Sequence, residues 1–150
     1  MMEAIHTANQ TYEYGQAFYG IPLDTWVQNA HKSSCIAYGW KHFPLKKGAF
    51  GYDNLAVSIG YTLSHILTAP HDTIDVVSDL IHQGWCINYI YWRDHQPWLN
   101  PTYKYIQPYA PLGDERRNTC AQTVFQDLDQ EEKDKDIVLA RFILGELCSH

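Results

Sequence analysis

Two short stretches of the chain carry the same reactive side chains at the same spacing. His31-Lys32-Ser33-Ser34-Cys35-Ile36-Ala37-Tyr38 recurs as His82-Gln83-Gly84-Trp85-Cys86-Ile87-Asn88-Tyr89, a shared His-x-x-x-Cys-Ile-x-Tyr pattern. On a helix, positions i, i+4, i+7 and i+11 share one face. One stripe is then His31, Cys35, Tyr38 and His42, and the other is His82, Cys86, Tyr89 and Arg93. Each stripe is polar for a core and apolar for a surface, which suits the wall of a ligand pocket.

Several chemistries are open to such residues. Two thiolates and two imidazoles are the donors of a tetrahedral zinc site. The spacing is not that of a zinc finger, however, and buried Cys is common in plain packing. The expectation is therefore metal-free packing or pocket groups. His71-Asp72 would suit a His-Asp metal phosphohydrolase, but it follows Pro70, where Asp72 reads as a helix cap. An all-α, magnesium-dependent pyrophosphatase needs facing pairs of acids, whereas Glu131, Glu132, Asp134 and Asp136 form a single acidic cluster. A thiol nucleophile at Cys35 or Cys86 would have a His base one turn upstream, although a buried, inert thiol is the commoner role. No glycine-rich phosphate loop is present. Binding is expected ahead of catalysis, with no catalytic residue, metal or cofactor assigned.

The best anion site in the sequence is Arg116-Arg117, just after Asp114, which reads as an N-cap. A helix's first turn offers unpaired N–H groups and a partial positive charge, and guanidinium groups add bidentate donors. The competing reading pairs both arginines in solvent with Asp114, Glu115 or a later acid, worth roughly 0–1 kcal/mol. Aromatic rings supply the other half of a nucleotide site, because a base stacks on a ring at about 1–3 kcal/mol. The chain holds 11 Tyr and 5 Trp. The expected ligand-binding set is His82, Trp85, Tyr89, Trp92, Arg93, Tyr103, Tyr105, Arg116 and Arg117.

The elements that must position these residues are helical. Residues 1–20 are weakly patterned and read as an N-terminal arm. Pro22-Leu23-Asp24 opens a helix to about Tyr38, which Gly39 stops. Asp53 reads as the N-cap of a helix carrying Leu55, Ile59, Leu63, Ile66 and Leu67 at helical spacing. From Asp72 a helix of about 20 residues carries apolar residues on two sides (Ile74, Val77, Ile81, Trp85 and Trp92; Val76, Leu80 and Ile87), as a central, buried helix does. Four prolines among tyrosines make 97–111 a long irregular segment. Asp129 and Glu132 have capping-box spacing, and 131–136 reads as the solvated first turn of a last helix. Fainter similarities between the halves suggest an internal helix-pair duplication. The fold class is all-α, a single domain over 1–150.

Composition limits the partners. The net charge is −6, which argues against coating a nucleic acid polymer but leaves room for one phosphorylated small molecule. No run approaches the ~18 apolar residues of a membrane span. No basic region followed by an apolar stretch opens the chain, so a cytoplasmic protein with free thiols is expected.

Residues 74–145 resemble the ryanodine-receptor-repeat (RyR-type) domain. The family's aliphatic-His-x-x-Trp signature is matched by Leu80-Ile81-His82-Gln83-Gly84-Trp85. Its later Leu, acidic Glu-Lys turn and Asp are matched by Leu128, Glu132-Lys133 and Asp136. Asp129 stands where the family usually has Pro, and Ile90-Tyr91-Trp92 replaces its Gly-Trp-x-Tyr-Gly piece. The resemblance implies a helical module, found in bacteria and phages as well as in channels, that takes nucleotide-derived ligands. In a small viral protein such a module would sequester the cyclic nucleotide signals of host immunity, acting in the host cytoplasm to evade anti-phage defence. The expectation is a nucleotide-binding protein without a membrane or nucleic-acid partner. A hydrolase of such a nucleotide, or a protein-interaction module forming a homo-oligomer, are the alternatives.

Overall fold

The computed structural model describes residues 4–6, 11–47, 50–68, 73–95 and 114–148. Among them are five α-helices, α1 (Leu23–Tyr38), α2 (Phe50–Thr68), α3 (Ile74–His95), α4 (Glu115–Ala121) and α5 (Gln130–Cys148), with a 3-10 turn at Phe125–Asp127. The protein is mostly all-α. The four long helices pack in a ring, α1 on α2, α2 on α3, α3 on α5 and α5 back on α1.

The long helices form because their sequences present apolar stripes at helical spacing. In α1 the stripe is Leu23, Trp26, Val27 and Ala30, all buried. Gly39 ends α1 in the left-handed region at φ 69°, and the Trp40 N–H returns to the Cys35 carbonyl at 2.8 Å. That turn brings Trp40 back onto Tyr38. In α2, Tyr52, Ala56, Val57, Ile59 and Leu63 are fully buried. In α3 the buried set includes Val77, Ile81, Gly84, Asn88 and Trp92. This helix also touches α4 and the 3-10 turn, so it is central, but of its second apolar side only Leu80 is buried, Val76 being exposed and Ile87 half-buried.

The α2–α3 seam is tight. A Cβ on Gly84 would lie 2.7 Å from Ser58 Cα, so only glycine lets the two backbones approach this closely.

The N-terminal reading needs correction. Two antiparallel pairs form there, β1 (Ala4–His6) with β2 (Thr11–Glu13) and β3 (Ala17–Phe18) with β4 (Ile21–Pro22). Tyr12, Tyr14 and Phe18 are buried in the common core, and Trp26 Nε1 donates to the Phe18 carbonyl at 3.1 Å. Tyr19 and Gly20, at φ 54° and 79°, make the two-residue turn that hairpins favour. The strands are too short to leave a legible alternation, and the aromatic anchors are what hold them.

One cap and one solvated turn also change. Asp53 is not an N-cap: it lies in the first turn of a helix that begins at Phe50 and accepts from the buried Tyr14 hydroxyl at 3.3 Å. The first turns of α5 are not wholly solvated, because Asp136 is buried. The Asp72 cap and the Tyr/Pro-rich segment 97–111, with Tyr103 and Tyr105, lie outside the described residues. Among the described residues no helix is long and apolar enough to cross a membrane.

Candidate functional site

Where α1 finishes and α2 and α5 begin, the ring of helices leaves a cleft of about 380 Å³. One side comes from His31 and Tyr38 of α1, with Trp40 beyond it. Asn54 and Leu55 of α2 and His82 and Trp85 of α3 continue the wall, and Arg116, Arg117 and Cys120 of α4 face them. Glu132, Lys135, Asp136 and Leu139 of α5 complete it.

The aromatic surfaces are arranged in two stacks. The Trp85 ring lies parallel to Tyr89 at 5.1 Å and near-parallel to His82 at 6.1 Å. Across the cleft, Tyr38 and Trp40 stack at 4.8 Å, both exposed.

The cations arrive already paired. Arg116 Nη1 donates to Glu132 Oε1 at 2.6 Å. Lys135 Nζ reaches the other oxygen of Glu132 at 3.3 Å. Arg117 Nη1 donates to Asp114 Oδ1 at 3.0 Å, and the same carboxylate caps α4 by accepting from the Arg117 amide at 3.1 Å. These bonds hold the Asp114 carboxyl below its usual range even though burial pushes it the other way. The N-terminus of α4 is thus occupied by its own cap. What the cleft offers an anion is side chains, not the helix end.

The buried end of the cleft is acidic and thiol-rich. Asp136 Oδ2 stands 3.7 Å from His82 Nδ1. Burial first, and then the Glu132 carboxylate one turn earlier, lift Asp136 to about 8 against the opposing pull of Lys135. At neutral pH it is mostly protonated. His82 Nε2 lies 2.7 Å from the Thr123 carbonyl, which only accepts, so Nε2 carries the proton. Cys86 Sγ is 3.4 Å from that nitrogen, and its S–H points to the Cys120 carbonyl at 3.9 Å. The nitrogen facing Cys86 is therefore a donor and cannot act as its base. Burial and then Asp136 push the thiol up to about 12. This pair is not an activated nucleophile. His31 and Cys35 make the equivalent contact at 3.6 Å in α1, where burial and then His42 lower the imidazole. All four cysteines are free thiols. Among the described residues no three His, Cys, Asp or Glu side chains stand close enough to hold a metal ion.

Of the residues singled out in the sequence, His82, Trp85, Arg116 and Arg117 border this one cleft. Tyr89, Trp92 and Arg93 do not. Tyr89 is fully buried and donates to Asn118 Oδ1 at 2.8 Å. Arg93 donates to the same oxygen at 3.1 Å and to Asp94 at 2.9 Å. Trp92 is buried. These three join α3 to the core and to α4 behind the cleft. Trp40, Asn54, Lys135 and Asp136 were not expected. Asp136 had a signal: it shares a helical stripe with Ala140 and Ile143, both fully buried, and an acid on an apolar stripe marks a partnered site.

The chain matches no family model, no curated protein and no solved structure.

Proposed function

We propose that the protein binds a small nucleotide-type ligand in this cleft, with the base against Trp85 and the phosphate met by Arg116, Arg117 and Lys135, and that it holds the ligand rather than converting it. The observation that carries this reading is the meeting of an indole ring and three cationic side chains in one cleft of a chain whose net charge is −6. The volume, about 380 Å³, falls in the roughly 300–1,000 Å³ range of small-molecule sites. Glu132 and Asp114 hold the cations in place before a ligand arrives, which lowers the ordering cost of binding. The unactivated Cys86 favours binding over turnover. α3 and α5, which carry the RyR-type resemblance, pack together and supply much of the cleft wall. That likeness extends the ligand class to cyclic nucleotide signals.

The test is native mass spectrometry and calorimetry with a panel of linear and cyclic nucleotides. One ligand bound per chain with unchanged mass is expected. The Arg116→Ala/Arg117→Ala double variant should weaken binding by at least about tenfold, since each charged hydrogen bond contributes about 1.5–3 kcal/mol. Equal affinity in that variant, or a cleaved product, would refute the reading. A second reading, a self-association surface, is favoured by Ile36, Trp40 and Phe43, which are 74%, 59% and 60% exposed. The subunit count in the same spectra decides it.

A further inference from the structure

The inner end of the cleft has a polarity opposite to its cationic side. Asp136 and His82 face each other there with side chains only 12% and 6% exposed. Because His82 Nε2 is committed to the Thr123 carbonyl, Nδ1 is the nitrogen turned to Asp136. Protonated or ionised, the Asp136 carboxyl keeps an oxygen that accepts. Glu132 cannot play this part, because Arg116 and Lys135 already occupy its oxygens.

We infer that Asp136, braced by His82, is a specificity-determining group that accepts an N–H from the edge of the base, so that the cleft selects nucleotides whose base carries an amino group. This rests on the reading of the cleft as a nucleotide site. A phosphate is drawn to Arg116, Arg117 and Lys135, so the opposite end of the ligand lies toward Asp136. Trp85 lines the cleft beside the same pair, its ring near-parallel to His82 at 6.1 Å with 10° between the planes. An N–H donor satisfies the acceptor in both proton states, whereas a base lacking it leaves a buried acceptor unpaired. Sites of that kind reject the analogue strongly.

The experiment is calorimetry with matched pairs that differ by one amino group: AMP against purine riboside 5′-monophosphate, and GMP against IMP. The wild type should prefer the amino member of the pair it binds by about tenfold or more. Asp136→Leu should bring that ratio to about one. Asp136→Asn, which keeps an acceptor oxygen, should retain a preference. A thermal melt confirms that each variant is folded. Equal binding of both members by the wild type, or an unchanged ratio in Asp136→Leu, overturns the assignment while leaving the cleft reading intact. A wild type that binds no nucleotide overturns both.

Discussion

Replacing Gly84 with alanine tests the packing that underlies the site. The added Cβ would lie 2.7 Å from Ser58 Cα, 3.2 Å from Tyr61 Cβ and 3.3 Å from the Ser58 carbonyl oxygen. Non-bonded carbons rest at roughly 3.5–4.0 Å, so α2 and α3 must part by about 1 Å. A backbone atom cannot rotate out of the way as a side-chain tip can. A gap of that size forfeits roughly a quarter to a half of each contact along the seam, where Val57, Val77 and Ile81 are fully buried or nearly so. Overpacking of this kind costs about 1–3 kcal/mol. Alanine's advantage over glycine in a helix returns about 1 kcal/mol, and the steric loss is the larger. A clash with backbone at 2.7 Å falls in the upper part of that range, about 2–3 kcal/mol, so Gly84→Ala should lose about 1–2 kcal/mol. Gly145→Ala, with no atom within 4 Å of the new carbon, should gain up to about 1 kcal/mol from the same propensity. Urea titrations at constant m-value give both numbers. A Gly84→Ala protein as stable as the wild type would refute the argument about the seam, and so would two glycines that respond alike.

The remaining predictions concern titration and reactivity. Asp136 is lifted to about 8 by burial and then by Glu132, whereas a carboxyl in the unfolded chain titrates near 3.9. The native state holds this proton more tightly, so its contribution to stability is complete below about pH 4 and is lost as the pH rises through about 8. The melting temperature should fall between pH 5 and pH 9. Asp136→Asn should flatten that fall and be the more stable protein at pH 9; an identical slope in the variant would show that another group controls it. Among the thiols, Cys148 is exposed, Cys35 is buried and Cys86 is pushed up to about 12. A thiol reagent at pH 8 should label Cys148 first and reach Cys35 and Cys86 only on unfolding. Mass mapping that finds Cys86 labelled as fast as Cys148 in the native protein would contradict the assigned hydrogen bonds.

Much of the helical framework was legible because periodicity and stop signals are local. Pro22 and Gly39 bracket α1, and Asp114 caps α4 as its position before the arginines suggests. The hairpins were not legible. Their stability comes from Tyr12, Tyr14 and Phe18 docking on helices made later in the chain, which no window around residue 12 contains. Asp53 shows the same limit from the other side: its type favours a cap, but Tyr14 claims it from 39 residues away. For the site, residue chemistry pointed to His82, Trp85, Arg116 and Arg117. It also pointed to Tyr89, Trp92 and Arg93, which share the chemistry but face the core and α4. Helical spacing says which residues share a face, not what covers that face. Trp40 and Lys135 reach the cleft only through long-range packing of α1 and α5.

The order of synthesis gives α5 a double duty. It is the last of the described elements to be made, yet it supplies Ala140 and Ile143 to the common core and Glu132, Lys135 and Asp136 to the cleft. A chain still tethered to the ribosome with α1, α2 and α3 complete would hold an apolar notch where α5 belongs, and an open-sided cleft. Completion of the cleft and final closure of the core then become one event in the life of each molecule. Any later detachment of α5 undoes both together.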